Sequence, residues 1–127
     1  MRDVLLVGLG GFVGAVLRYG LSGAAHTLLR SFEYPVGTLV VNVSGSFFLV
    51  LLASVGETLG IFGPPFRAFV FIGLLGALTT FSTFSFETVA LLTDGQLGSA
   101  LGNAAANLGL CLVAALVARS LVLWIWR

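Results

Sequence analysis

The stretch FVFIGLLGALTTFSTFSFE, Phe69 to Glu87, decides how this chain is read. Up to Leu78 it has the composition of a helix in hydrocarbon. Thr79–Ser85 then brings five hydroxyls and two Phe rings, with no charge before Glu87. Thr, Ser and Phe are poorer helix formers than Leu and Ala. Ser and Thr hydroxyls also compete for backbone hydrogen bonds, and Gly73 and Gly76 loosen the same stretch. The spacing predicts a helix interrupted near Leu78–Ser82. An interruption at membrane depth frees carbonyls that must be met by protein, water or an ion.

The rest of the chain sets that depth. Of 127 residues 58% are hydrophobic and 9% charged, and the mean hydropathy is +1.11. A soluble domain is typically about 25% charged. A chain this short cannot bury so much apolar surface in a soluble core, so its solvent is lipid. Charge-free runs separate Glu33 from Glu57 and Asp94 from Arg119. About 20 residues cross the ~30 Å of hydrocarbon. The reading is an all-α membrane protein, a single four-helix transmembrane domain over 1–127. Helices are expected at about 4–29, 36–56, 67–93 and 97–120. Asp3 and the continuation of the apolar run past Arg18 argue against a signal peptide.

Several familiar chemistries are excluded. The net charge of +1 offers no basic patch for nucleic acid. One His (His26) and one Cys (Cys111) assemble neither a metal cluster nor a nucleophile–base pair, so no enzyme is expected. GLGGFVGA at Gly8–Ala15 lacks the third glycine of a nucleotide loop, because Val13 stands there. Gly10 with Gly14, and Gly98 with Gly102, fit the small-xxx-small spacing of touching membrane helices instead. The sequon Asn42-Val43-Ser44 falls inside a predicted span, beyond the reach of glycosylation.

What remains is a set of polar groups at depth: Arg18; Asn42, Ser44 and Ser46; Thr79–Ser85 with Glu87; Asn103 and Asn107. One Ser or Thr alone reads as interhelical hydrogen bonding, worth about 0.6 kcal/mol. Contributions from all four helices point to a shared path. A cation path would want a clearer carboxylate relay than Glu87 alone. An anion fits better. Asn amides and the hydroxyls, Ser82 and Thr83 among them, are donors. Phe81 and Phe84 lie three apart, on one side of a helical turn, with positive ring edges to offer. Arg18 can attract anions toward a mouth.

GGFVGAVLRYG (Gly10–Gly20), PVGTLVVNVSGSF (Pro35–Phe47) and GLLGALTTFSTFSFET (Gly73–Thr88) together resemble the CrcB/Fluc family of fluoride channels, over nearly the whole chain. The resemblance implies a passive fluoride exporter in the cell inner (plasma) membrane, built as an antiparallel, dual-topology homodimer. It implies a break in the third helix and a structural sodium ion at the dimer interface, held by backbone carbonyls matching Gly76 and Thr79. Phe81 and Phe84 match the aromatics of the fluoride pathway, Asn42 its amide, and Arg18 the vestibule arginine. Ser82, Thr83, Asn103 and Asn107 would add donors along the path, with Glu87 at the vestibule edge. Cys111 continues the one-in-four face of Asn103 and Asn107 with a weaker donor.

Two other readings stand beside this one. A small proton-coupled multidrug exporter wants a membrane carboxylate in the first helix, which offers only Asp3. A fluoride/proton antiporter wants a proton relay. The arginines carry their own message. If loops alternate sides, Arg2, Arg67, Arg119 and Arg127 share one side and Arg30 has the other. Four against one favours a single orientation with cytoplasmic termini, whereas dual topology favours balance.

Overall fold

The computed structural model describes residues 1–28 and 34–126. Among them every regular element is helical: α1 (Arg2–Leu28), α2 (Val36–Leu59), α3 (Pro64–Phe66), the π-helix π1 (Arg67–Leu75), α4 (Gly76–Leu78), α5 (Phe81–Thr93) and α6 (Leu97–Ile125). From α3 to α5 the elements succeed one another along a third span, Pro64–Thr93, so four spans are long and apolar enough to cross a membrane. Leu29, the expected end of the first helix, lies outside the described residues, as do Arg30 and Arg127.

Two helices outrun their expected ends at 56 and 120, and both extensions have a local cause. Gly60 closes α2 in the left-handed region, with φ 66° and its N–H on the Gly56 carbonyl. Glu57, read as a boundary, thus sits inside the last turn. There its Oε2 accepts from Arg119 Nη1 at 2.6 Å. Arg119 also donates to Ser54 Oγ at 3.3 Å. A charge met by a neighbouring helix no longer marks where α6 must leave the membrane.

Helix contacts are made backbone to backbone where glycine allows it. α1 packs on π1, and a Cβ on Gly10 would fall on the Phe69 carbonyl oxygen, one on Gly14 on that of Leu74. The contact is reciprocal, since a Cβ on Gly73 would meet the Val7 carbonyl oxygen. The sequence reading of 67–93 held only an α-helix and its interruption; the π-turns of Arg67–Leu75 are an addition. Widened turns of this kind are rare and recur at functional sites. Gly37 lets α2 approach Ser22 and His26 of α1 in the same way.

The second small-residue pair meets no other helix among the described residues. Apart from the neighbouring backbone of α6 itself, no atom of the described residues lies within 4 Å of a Cβ built on Gly98 or Gly102. The buried face of α6 is instead Ala100, Asn103, Asn107, Ala118 and Val122, which packs on α2 and α5. Spacing alone identified a face but not which face turns inward. Val41, Leu75 and Leu78 form the buried apolar centre, directly beside the interrupted segment.

Candidate anion pathway at the helix interruption

Thr79 and Thr80 leave the helix. Thr79 has φ −83° and ψ 153°, and Thr80 has φ −151° and ψ 117°. β-Branched residues tolerate extended backbone well, and Thr80 also caps α5. Its Oγ1 accepts from the Thr83 N–H at 3.2 Å, in the first turn of that helix. The same oxygen meets Ser82 Oγ at 3.1 Å and Thr83 Oγ1 at 3.0 Å. Ser82 and Thr83 thus lie with their hydroxyls gathered round Thr80.

An extended residue at membrane depth has peptide groups to satisfy. Asn42 of α2 satisfies both. Its Oδ1 accepts the Thr80 N–H at 2.8 Å, and its Nδ2 donates to the Thr80 carbonyl at 3.1 Å. The side chain pairs with Thr80 as a neighbouring strand would. Gly45, almost one turn along α2, gives room to the Thr79 methyl group, so α2 lies close against the interruption.

This pairing changes the fate of two carbonyls. In a continuous helix the Thr80 N–H would serve the Gly76 carbonyl and the Thr83 N–H that of Thr79. Here those donors serve Asn42 Oδ1 and Thr80 Oγ1. The carbonyls of Gly76 and Thr79 therefore lack the donors a helix supplies. They suit a cation that prefers oxygen ligands, which is the test any central ion must pass.

A directed chain of amides continues from Asn42. Its Nδ2 also donates to Asn107 Oδ1 at 3.0 Å. Asn107 Nδ2 donates to Asn103 Oδ1 at 3.0 Å and to the Asn103 carbonyl at 3.2 Å. Asn103 Nδ2 donates to Thr88 Oγ1 at 2.9 Å, and the Thr88 hydroxyl donates to the Phe84 carbonyl at 2.7 Å. Asn42, Asn103 and Asn107 are all buried. The sequence reading has them as donors facing an ion; in this chain their N–H groups are engaged with one another and with backbone.

Glu87 lies on the far side of the interruption. Thr38 Oγ1 donates to its Oε1 at 2.6 Å. Its Oε2 is enclosed and has no hydrogen-bond partner among the described residues.

Two recesses flank Thr80. One, of about 320 Å³, is lined by Asn42, Phe81, Phe84, Asn107 and Cys111. The other, of about 610 Å³, is lined by Arg18, Ser22, His26, Thr38 and Thr83. Thr80 lines both. The two Phe rings meet edge to face, 5.2 Å apart at 60°. Phe84 is 8% exposed and Phe81 72%, so Phe81 lies on the outer surface of this chain. Sequence reasoning singled out neither Thr38 nor Thr88. Thr38 stands one helical turn before Asn42, and that spacing was the available signal.

The family model described as CrcB-like protein, Camphor Resistance (CrcB), matches residues 5–119. The chain belongs to the CrcB family. The matched region holds every polar residue of this candidate pathway. A Shewanella pealeana protein named fluoride-specific ion channel FluC is 44% identical over 122 residues, or 96% of this chain and 97% of its own length. Its namesake in Shewanella sp. strain W3-18-1 is 48% identical over the same share of each chain. A Methanosarcina acetivorans protein named fluoride-specific ion channel FluC 1 is 52% identical over 97 residues, covering 76% of this chain and 72% of its own. Family membership and four apolar spans make this a multi-pass membrane protein.

Proposed function

We propose that this chain is a fluoride-selective ion channel through which fluoride leaves the cell passively. The observation that carries the reading is the name fluoride-specific ion channel, borne by relatives 44% and 48% identical over nearly the full chain. The site agrees in chemistry. Fluoride is small and strongly hydrated, so a path must replace its water with donors yet bind too weakly to trap it. Arg18 supplies positive charge at the larger recess. Hydroxyls of Ser82 and Thr83, and the edges of Phe81 and Phe84, supply weaker neutral contacts. Asn42 and Asn107 line the smaller recess, and the fully buried Asn103 holds Asn107 in place behind them, so that the three amides together hold the interruption. Glu87 sits with Thr38 at the vestibule edge.

The functional unit of this reading is an antiparallel, dual-topology homodimer. A second copy would cover the exposed Phe81 and the exposed backbone of Gly76. The Gly76 and Thr79 carbonyls of both copies would hold a structural sodium ion. Bound there, the ion supplies a fixed positive charge that lowers the cost of carrying an anion through the membrane. The arginine count of four against one weighs toward one orientation. A C-terminal tag should nonetheless be labelled from both faces of membranes expressing this chain alone. Labelling from one face only overturns the dual-topology homodimer.

The test of function is anion efflux from liposomes holding the purified protein. Fluoride should leave rapidly and only when valinomycin lets potassium follow; chloride should stay. Fluoride efflux without valinomycin would mark a proton-coupled antiporter, and no efflux from folded dimers would sink both. Phe81→Ile and Phe84→Ile should each slow fluoride efflux about tenfold, because a ring edge contributes up to about 1.5 kcal/mol that an aliphatic side chain does not. Efflux at the parental rate in both variants would remove the rings from the path.

A further inference from the structure

We propose that Thr88 is a positioning residue of the pathway: its hydroxyl sets the direction of the amide chain through Asn103 and Asn107 that fixes how Asn42 grips Thr80. The proposal rests on the fluoride-channel reading and adds a residue which that reading leaves unused.

The argument is one of donor and acceptor inventory. A Thr hydroxyl has one proton, and that of Thr88 goes to the Phe84 carbonyl at 2.7 Å. Toward α6 the oxygen can then only accept. Asn103, 0% exposed, has to turn its NH₂ to Thr88, which leaves its Oδ1 for Asn107. Asn107 in turn points its NH₂ at Asn103 and its Oδ1 at Asn42. Asn42 must donate to that oxygen, which leaves its own Oδ1 for the Thr80 N–H. Each amide's orientation fixes the next. Reversing Asn42 alone would set its NH₂ against the Thr80 N–H and its oxygen against two acceptors.

One end of this chain is therefore a helix-internal hydroxyl on α5, and the other is the extended residue between the two recesses. Removing the acceptor at Thr88 leaves the Asn103 NH₂ buried without its partner and frees that amide to turn. Asn107 keeps its bond to the Asn103 carbonyl, so the chain loosens instead of collapsing. The competing role is plain interhelical adhesion, which would lower thermal stability and leave the conduction of folded channels unchanged.

Fluoride efflux per folded dimer separates the two roles, with melting temperature recorded alongside. The parental protein is measured first, and absence of its efflux would fail the channel reading itself. Given parental efflux, Thr88→Val should slow it roughly tenfold, the scale of one unpaired buried donor. Thr88→Ser, which restores the oxygen, should return efflux to within about twofold of the parent. Should the Val variant not fold, Thr88→Ala stands in the same comparison. Parental efflux in Thr88→Val or Thr88→Ala overturns the proposal. So does a folded Thr88→Ser that is as slow as they are.

Discussion

Replacing Asn42 by leucine is expected to abolish fluoride efflux, with a loss of at least about a hundredfold. Leucine keeps the branched heavy-atom outline of asparagine and is somewhat bulkier, so the change removes polar contacts and leaves no void. Three groups lose their partner at once: the Thr80 N–H, the Thr80 carbonyl and Asn107 Oδ1. Each buried group left unpaired costs about 1–3 kcal/mol. The third span has one way to recover the Thr80 bonds within its own backbone. It can rewind through Thr79 and Thr80, returning the Thr80 N–H to the Gly76 carbonyl. Rewinding withdraws a carbonyl from the proposed cation site and turns Phe81 and Phe84 about the span axis. Asn42→Asp divides the effect. Its oxygen still accepts the Thr80 N–H, so the interruption is partly held, while the carboxylate repels anions. Its second oxygen, however, faces the Thr80 carbonyl and Asn107 Oδ1, where the parent donates, so the aspartate variant should melt below the parent and conduct little. Parental efflux in Asn42→Leu would show that the interruption does not depend on this side chain.

The hydroxyl-rich stretch was legible because composition and depth conflict there. Five hydroxyls in seven residues between apolar runs are more than single interhelical contacts require, and that excess pointed to an interruption. Its partner was only half legible. Asn42 stands out as an amide in an apolar helix, but its pairing with a residue 38 positions away is a tertiary fact. The same holds for Thr88, an unremarkable helical hydroxyl until α6 places Asn103 against it. Charges proved poor markers of helix ends. Glu57, read as a boundary, lies in the last turn of α2, where Arg119 of α6 pairs with it. Glycine spacing identified the α1 contact correctly at Gly10 and Gly14, yet gave the same signal at Gly98 and Gly102. Within one chain the two pairs differ because α6 turns Asn103 and Asn107 inward, which leaves Gly98 and Gly102 on its outer face.

That difference between glycines yields the second large effect. Gly14→Val should prevent assembly of a folded, conducting protein. The added Cβ would fall on the Leu74 carbonyl oxygen, and the nearest other atoms are the Leu74 carbonyl carbon at 2.9 Å and the Ala77 Cβ at 3.1 Å. Two of these three belong to backbone that π1 holds in place, so no side-chain rotation relieves the clash. α1 must move as a body. Yet Gly10 and Gly73 lock the same interface from both sides, and shifting it also disturbs the Gly37 approach to Ser22 and His26. Overpacking a tight core typically costs about 1–3 kcal/mol, and a rigid backbone contact belongs at the upper end. Gly8→Ala is the matched control: nothing lies within 4 Å of its Cβ, and alanine is the better helix former. The Gly8 variant should elute and conduct as the parent does, while Gly14→Val should lose the dimer peak in size-exclusion chromatography. The α1 contact matters beyond stability because π1 leads directly into the interruption through α4. A displaced α1 would leave π1 unsupported, and the Gly76 and Thr79 carbonyls would no longer hold a fixed position. A Gly14→Val protein that folds and conducts normally would mean that α1 does not set the geometry of the interrupted span.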